Sequence, residues 1–309
     1  LARLTGLDRC GIEVVAAVRP RGHVLQVSQG KGATLQEAQW SALGEAIELA
    51  AAETPSLDRL RHGPAPRDAA WDGQGLSLAW VDGVFARTGK PAWVPAETVY
   101  CPPAGVTWFG PSIAQWKSNG LGAHPRTREA AEEHAMLEVL ERDALARVLP
   151  ERWTEALALD RLVDAGGDEF GLRARGFASF VFDLTPPRAK VPLAGALLFD
   201  LESDVVPLTA GYAARRTFEQ AARAAVMEAA QSRLTEIHGA REDVLTGERE
   251  AGKGLLETLA RAEPPRAKAR VFRGALASQL PRSTVVVTLR ASPWVVKVVS
   301  EDLLVSELL

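Results

Sequence analysis

SNGLGAHPRTREAAEEHAMLEVLERDALARVLP, residues 118–150, holds one long run of helix-forming residues between two breakers. Thr127, followed by Glu129 and Ala130, opens a helix that the pattern carries over about 128–148. Pro150 stops it, because proline has no backbone N–H to extend the ladder. Ser118-Asn119-Gly120-Leu121-Gly122, ahead of the helix, reads as a glycine-rich turn. His134, Glu138 and Glu141 stand on the helix at offsets 0, 4 and 7. At about 100° per residue those offsets fall within roughly 60° of one another, so the helix carries one narrow polar stripe among Ala131, Ala135, Leu137, Leu145 and Val148.

The same spacing occurs twice more. Thr34, with Glu37 as capping-box partner, starts a helix over about 35–53 that carries Ser41, Glu45 and Glu48. Thr217 starts a third, about 218–237, with Ala224, Glu228 and Gln231. Small apolar residues flank each stripe. A carboxylate in such surroundings is costly unless a cation or a partner neutralises it, and converging carboxylates push one another's pKa upward. Magnesium relieves both effects, since it prefers oxygen ligands and joins a few carboxylates to substrate phosphates. Glu45, Glu48, Glu138, Glu141 and Glu228 are too many anions for one small ion, which points to more than one magnesium shared with a polyphosphate. Any one of these helices alone reads equally as a solvated face, because Glu-x-x-Glu is common on exposed helices.

Basic groups accompany the acids. Lys31 lies in a Gly-Lys-Gly turn before the first helix, where backbone N–H groups and an ammonium would meet phosphate. The frame G-x-x-x-x-G-K-[ST] is absent, so this is not a P-loop. Arg142 and Arg233 follow the acids of the second and third helices, for phosphate or for the neighbouring glutamates. Asn119 is placed to line the same cavity or to serve its own turn. His134 reads as structural. Trp108 and Trp116 are candidates for peptide contact.

Outward from the helices, strands are expected near 12–18, 23–28, 77–86, 92–100, 178–184, 191–199, 205–212, 283–290 and 294–299. Residues 54–75 form a surface excursion, 102–111 a loop, 239–252 a polar stretch and 253–261 a weaker helix. Strands alternating with helices give a mixed α/β (α+β) protein, with sheets packed against long helices, and nothing forces a division of 1–309 into domains.

The 309 residues carry a formal net charge of −3 and 24% charged residues, which gives no basic footprint for nucleic acid. No apolar run approaches a membrane span. Cys10 and Cys101 make neither a zinc site nor a disulfide framework, which fits a reducing cytoplasm, and both read as packed thiols.

Three segments carry a resemblance. GKGATLQEAQWSALGEAIEL (30–49) resembles the first signature of the YcaO family, S-x-x-x-E-x-x-E-R. SNGLGAHPRTREAAEEHAMLEVLERDA (118–144) resembles the second, and MEAAQSRLTEIHGARED (227–243) the third. The resemblance implies the YcaO fold, with long helices lining a pocket for ATP and Mg2+. It implies a chemistry in which a peptide amide oxygen is phosphorylated, a nucleophile attacks and phosphate leaves. A side chain of Cys, Ser or Thr then gives an azoline, and sulfide gives a thioamide. By the same resemblance Glu45, Glu48, Glu138, Glu141 and Glu228 handle magnesium, and Lys31, Ser41, Asn119, Gln231 and Arg233 contact nucleotide. Glu138, Glu141 and Arg142 serve catalysis.

Departures accompany the matches. Leu49 stands where the first signature has arginine, Glu13 where the opening D-R-x-G-I-P-V has proline, and SEDLLVSELL lacks the proline-rich end of azoline-forming members. The opening TGLDRCGIEVVAAVRP (5–20) looks like short members that work with a TfuA partner and are associated with thioamides. The expectations are therefore a thioamide-forming enzyme in ribosomal peptide (RiPP) modification, acting on a precursor peptide with a TfuA-like or leader-peptide-binding partner. The alternatives are an azoline-forming cyclodehydratase and a non-catalytic nucleotide-binding scaffold. Family habit adds a homodimer.

Overall fold

The computed structural model describes residues 1–101, 109–110, 118–149, 153–203, 205–239 and 249–305, with backbone alone at 118–119 and 249–251. In chain order the elements are β1 (Ala2–Arg3), β2 (Glu13–Val18), β3 (Val27–Gly32), α1 (Leu35–Glu53), β4 (Arg61–Gly63), β5 (Leu78–Phe85), β6 (Pro91–Pro95), β7 (Ser118–His124), α2 (Arg128–Val148), α3 (Glu155–Arg161), β8 (Leu162–Val163), β9 (Phe177–Asp183), β10 (Leu193–Asp200), β11 (Leu208–Ala214), α4 (Phe218–His238), α5 (Arg249–Arg261), β12 (Val285–Ala291) and β13 (Trp294–Ser300). They form three antiparallel sheets, in the orders β1-β2-β3, β4-β5-β12-β13-β7 with β6 beside β5, and β11-β10-β9-β8. The mixed α/β expectation holds. Among the described residues no helix is long and apolar enough to cross a membrane.

Each of the three long helices follows directly on an edge strand: α1 on β3, α2 on β7 and α4 on β11. Thr34 and Glu37 form the expected capping box, and Thr217 accepts the N–H of Gln220. Thr127 makes no side-chain cap; His124 Nδ1 instead accepts the N–H groups of Arg126 and Thr127 at 3.3 and 3.0 Å.

Two segments read as turns are strands. Gly30-Lys31-Gly32 ends β3, and Ser118–Gly122 opens β7. Glycine signals a turn through its backbone freedom, but in a strand it also marks a place where another backbone comes close. The second use applies here: a Cβ on Gly122 would lie 2.1 Å from the carbonyl oxygen of Ala131, and one on Gly211 would lie 2.3 Å from that of Ala225. The facing alanines Ala131, Ala135, Ala225 and Ala229 are fully buried. Glycine and alanine together let helix and strand backbones nearly touch, which fixes the depth and direction of every side chain on the helix.

Smaller differences follow. The strand expected at 23–28 begins only at Val27, the one at 92–100 ends at Pro95 in a turn of 3-10 helix, and α5 starts at Arg249 rather than 253. Most of the loop 102–111, with Trp108 and Trp116 and part of the 239–252 stretch, lies outside the described residues. The largest apolar core lies between α2 and the two larger sheets, with Leu145, Phe182, Leu197, Val296 and Val298 at its centre. A second packs α4 on β10.

Candidate functional site

Counted from the threonine that starts each helix, the polar stripes coincide: Ser41, His134 and Ala224 come seven residues on, Glu45, Glu138 and Glu228 eleven, and Glu48, Glu141 and Gln231 fourteen. The residues at fourteen tie the units into a ring. Glu48 Oε1 accepts the N–H of Ala123 on β7 at 2.7 Å. Glu141 Oε2 accepts the N–H of Ala214 on β11 at 2.6 Å. Gln231 Nε2 donates to the carbonyl of Gln29 on β3 at 3.2 Å. Each helix thus satisfies an orphan backbone group on the edge strand of the next unit, from α1 to β7, from α2 to β11 and from α4 back to β3. The chemistry explains the third member. Where the strand presents an N–H the side chain is a carboxylate; where it presents a carbonyl the side chain is an amide that can donate.

The residues at eleven gather inside this ring. Glu228 pairs with Lys31 at 2.8 Å across the gap between α4 and β3. Glu138 pairs with Arg142 one turn on, and its Oε2 accepts the N–H of Leu121 at 2.7 Å. The carboxyl of Glu45 keeps access to solvent, yet protein surrounds it closely enough that desolvation, opposed by Lys31 and aided by Glu138 and Glu228, raises it to about 7. The two facts together place Glu45 at the solvent-open side of a crowded recess, and hydration from the open side works against that rise. His134 has the same character: its ring is exposed, while desolvation pulls its pKa down, with Glu138 opposing and Arg215 and Lys31 assisting. Glu48 is buried, and desolvation followed by Glu45 and Glu138 pushes it up to about 8. Desolvation, then Glu228, also pushes Glu141 upward. Four of the five expected glutamates therefore appear among one another's electrostatic neighbours, with Glu48 joined through Glu45 and Glu138.

Ser41 sits one turn before Glu45 with its side chain partly open. The side chain of Asn119 lies outside the described residues. Arg233, expected at the nucleotide, is engaged by protein groups. It is only 4% exposed, and its guanidinium is consumed by Asp8 at 2.9 Å, Asp200 at 2.7 Å and the carbonyl of Val206. The centre of the Phe177 ring is 5.1 Å from its guanidinium carbon and 4.5 Å from that of Arg9. This cluster anchors the N-terminal segment to α4 and commits four of the five guanidinium N–H groups to protein oxygens. Burial pushes the Cys10 thiol up to about 11, which makes it a packed, unreactive group.

One residue near the recess escaped the sequence reading. Lys297, in the middle of β13, is 4% exposed and pairs in register with Val287 and Leu121. Among the described residues no carboxylate lies within ion-pair distance of it. Burial pulls its pKa down, while Cys101 and Glu138 oppose that and Arg142 adds to it. The signal was present as a charge inside WVVKVV. Lys297→Met is expected to raise the melting temperature of the nucleotide-free protein, since an unpaired buried ion is removed. Turnover of ATP should fall at the same time by about 10-fold, because Glu138 loses a neighbouring cation. Calorimetry and a phosphate-release assay on one preparation check both; a drop in both would make Lys297 a structural residue.

The donors suit a hard cation held together with phosphate. All are oxygens, and among the described residues Glu48 Oε2 and Glu141 Oε1 have no hydrogen-bond partner, so each carboxylate that holds a strand keeps one oxygen for another ligand. No group of three His, Cys, Asp or Glu among the described residues is set to enclose an ion by itself. This accords with the expectation of magnesium shared with a polyphosphate: an ion held here would draw the rest of its oxygen ligands from phosphate and water, as that small, strongly hydrated ion usually does.

Comparisons with known proteins show what the chain is similar to. A family model described as "YcaO cyclodehydratase, ATP- and Mg2+-binding" matches residues 61–292, which include the second and third units. An uncharacterized protein of Methanothermobacter thermautotrophicus is 32% identical over 283 residues, covering 84% of this chain and 72% of its own length. An uncharacterized protein in the tfuA 3' region of Rhizobium leguminosarum is 30% identical, and the chain spans 62% of it. The structure of YcaO from Methanopyrus kandleri bound with AMPPCP and Mg2+ superimposes with a TM-score of 0.67 and 26% identity, over 94% of this chain and 82% of that one.

Proposed function

The chain belongs to the YcaO family, and from that premise we propose that it binds ATP and Mg2+ in the recess and phosphorylates a backbone amide oxygen of a ribosomally made peptide. The observation that carries this reading is the meeting of Glu45, Glu138 and Glu228 from three helices, with Lys31 and Arg142 beside them, inside one hydrogen-bonded ring. An amide oxygen is a poor leaving group, and phosphorylation makes it a good one. The protein's task is then positioning and charge neutralisation. Bound magnesium and nucleotide supply the phosphoryl group and screen its charge. Glu45, Glu138 and Glu228 hold cations at the wall, and Glu48 and Glu141 add one oxygen each while keeping the strands in place. Lys31 and Arg142 are paired with carboxylates at rest and exchange them for phosphate oxygens. Ser41 and Gln231 line the approach.

The finer reading is thioamide formation, in which sulfide displaces the phosphorylated oxygen with help from a TfuA-like partner. The relative in the tfuA 3' region supports it. The family's description as a cyclodehydratase supports the second reading, an azoline made by attack of a Cys, Ser or Thr side chain. Mass spectrometry separates them. Enzyme, partner, peptide and ATP are incubated with and without sulfide. Exchange of one oxygen for sulfur, dependent on sulfide, is the expected outcome; loss of one water in both incubations would establish the azoline instead.

A further inference from the structure

Two arginines stand side by side where β11 leads into α4, and they differ in what they hold. Arg216 is paired: it donates to both oxygens of Glu133, at 2.6 and 2.9 Å, and to the carbonyl of Gly274, and its guanidinium lies over the Phe272 ring. Arg215 is half-buried, and the one hydrogen bond of its guanidinium among the described residues runs to a neighbouring carbonyl, that of Ala214, at 2.7 Å. No carboxylate lies within ion-pair distance of it among the described residues. Ala214 is the residue whose N–H is held by Glu141, so Arg215 emerges beside the catalytic ring.

The charge of Arg215 is felt inside the recess. Its place there is fixed by the backbone of Ala214, whose carbonyl takes the guanidinium at 2.7 Å while its N–H is held by Glu141 at 2.6 Å, and the charge acts on both the Glu141 carboxyl and the His134 ring. Around the recess Lys31 is paired with Glu228 and Arg142 with Glu138. Arg215 differs from both in having no carboxylate to give up when an anion arrives. A half-buried guanidinium without a counter-ion is costly to keep, and its flat fork of donors matches phosphate oxygens better than an ammonium does.

We propose that Arg215 is a further catalytic residue, gripping the phosphoryl group while it passes from the nucleotide to the amide oxygen. In that step the bond from the bridging oxygen to the terminal phosphorus breaks and ADP keeps the electron pair. The amide oxygen bonds to the phosphorus, and the amide proton passes to water. Arg215 neutralises charge on the three non-bridging oxygens throughout. The assignment rests on the recess being the nucleotide site.

Titration calorimetry of AMPPCP with Mg2+, and of ADP with Mg2+, into wild type, Arg215→Met and Arg215→Lys tests it, with circular dichroism to show that each variant is folded. Wild type binds both ligands. Arg215→Met loses about 10-fold in affinity for AMPPCP and little for ADP, and Arg215→Lys falls between. Peptide-dependent turnover of Arg215→Met drops by roughly 10³-fold and is partly restored by added guanidinium ion. Equal loss for both ligands, or none for either, would overturn the role of Arg215 and leave the nucleotide site standing. Failure of wild type itself to bind AMPPCP would overturn both.

Discussion

Glu141→Gln is expected to lower peptide-dependent ATP turnover by at least about 10²-fold while making the nucleotide-free protein more stable. The amide can still accept the N–H of Ala214, because Gln keeps a carbonyl oxygen where Glu141 has Oε2. The ring therefore closes as before, and the fold is kept. What disappears is one negative charge among Glu228 and Glu138, which repel it and raise its pKa in addition to desolvation. Without a cation that charge is a burden; on the function proposed above it becomes part of the binding site once magnesium and phosphate are present.

The pH dependence follows from the same group of acids. Glu45 and Glu48 are raised from an ordinary value of 4.5 to about 7 and about 8 by desolvation first and neighbouring carboxylates second. A carboxyl whose folded pKa lies above its unfolded one binds an extra proton in the folded state between the two values. Its stabilising contribution is complete below about 4.5 and is lost as pH rises towards 8. Nucleotide-free wild type should melt at a lower temperature at pH 8 than at pH 5.5, and Mg2+ with AMPPCP should recover more stability at pH 8. Glu141→Gln should flatten the first dependence and weaken the second. Undiminished turnover in the variant, or a wild type whose stability climbs across this range, would show that these side chains do not share one cavity.

The parts of this arrangement that the sequence discloses are those set by local spacing. Thr34 with Glu37, and Thr217 with Gln220, start helices by contacts within four residues, so they are legible without a fold. The common offsets of seven, eleven and fourteen from Thr34, Thr127 and Thr217 are equally legible as an internal repeat. Arg233 adjoins the third stripe in sequence but does not share its face of the helix. Five residues beyond Glu228, it is turned about 140° around α4, away from the stripe, and its partners Asp8 and Asp200 are remote in the chain. Lys297 and Arg215 were passed over for the same reason in reverse. Their significance comes from what lies across strand pairs and sheet edges, and no local pattern records that. The close approach of strand and helix was visible as glycine, but glycine alone does not say whether a chain bends or is approached.

That ambiguity has a direct test in Gly211→Val, for which loss of stability at or above the upper end of the ~1–3 kcal/mol cost of overpacking is expected. The new Cβ would meet the carbonyl oxygen of Ala225 and the amide nitrogen of Ala229, each at 2.3 Å, and the carbonyl carbon of Glu228 at 2.8 Å. These are backbone atoms of a regular helix, so no side-chain rotation relieves the clash; α4 must move away from β11 or the strand must unpair. Either movement carries Glu228 away from Lys31 and Gln231 away from Gln29, so the ring opens where its third unit meets the first. The variant should therefore lose the stabilisation that Mg2+ with AMPPCP gives wild type, even at temperatures where it is still folded. Gly44 provides the contrast. It lies inside α1 with nothing within 4 Å of a Cβ built on it, so Gly44→Ala removes only the helix cost of glycine and should raise stability by roughly 0.5–1 kcal/mol. Thermal melts of the two variants, with and without the nucleotide analogue, separate glycine as a spacer from glycine as mere flexibility. If Gly211→Val melted like wild type and kept its response to the analogue, close contact between β11 and α4 would not be what holds Glu228 in place.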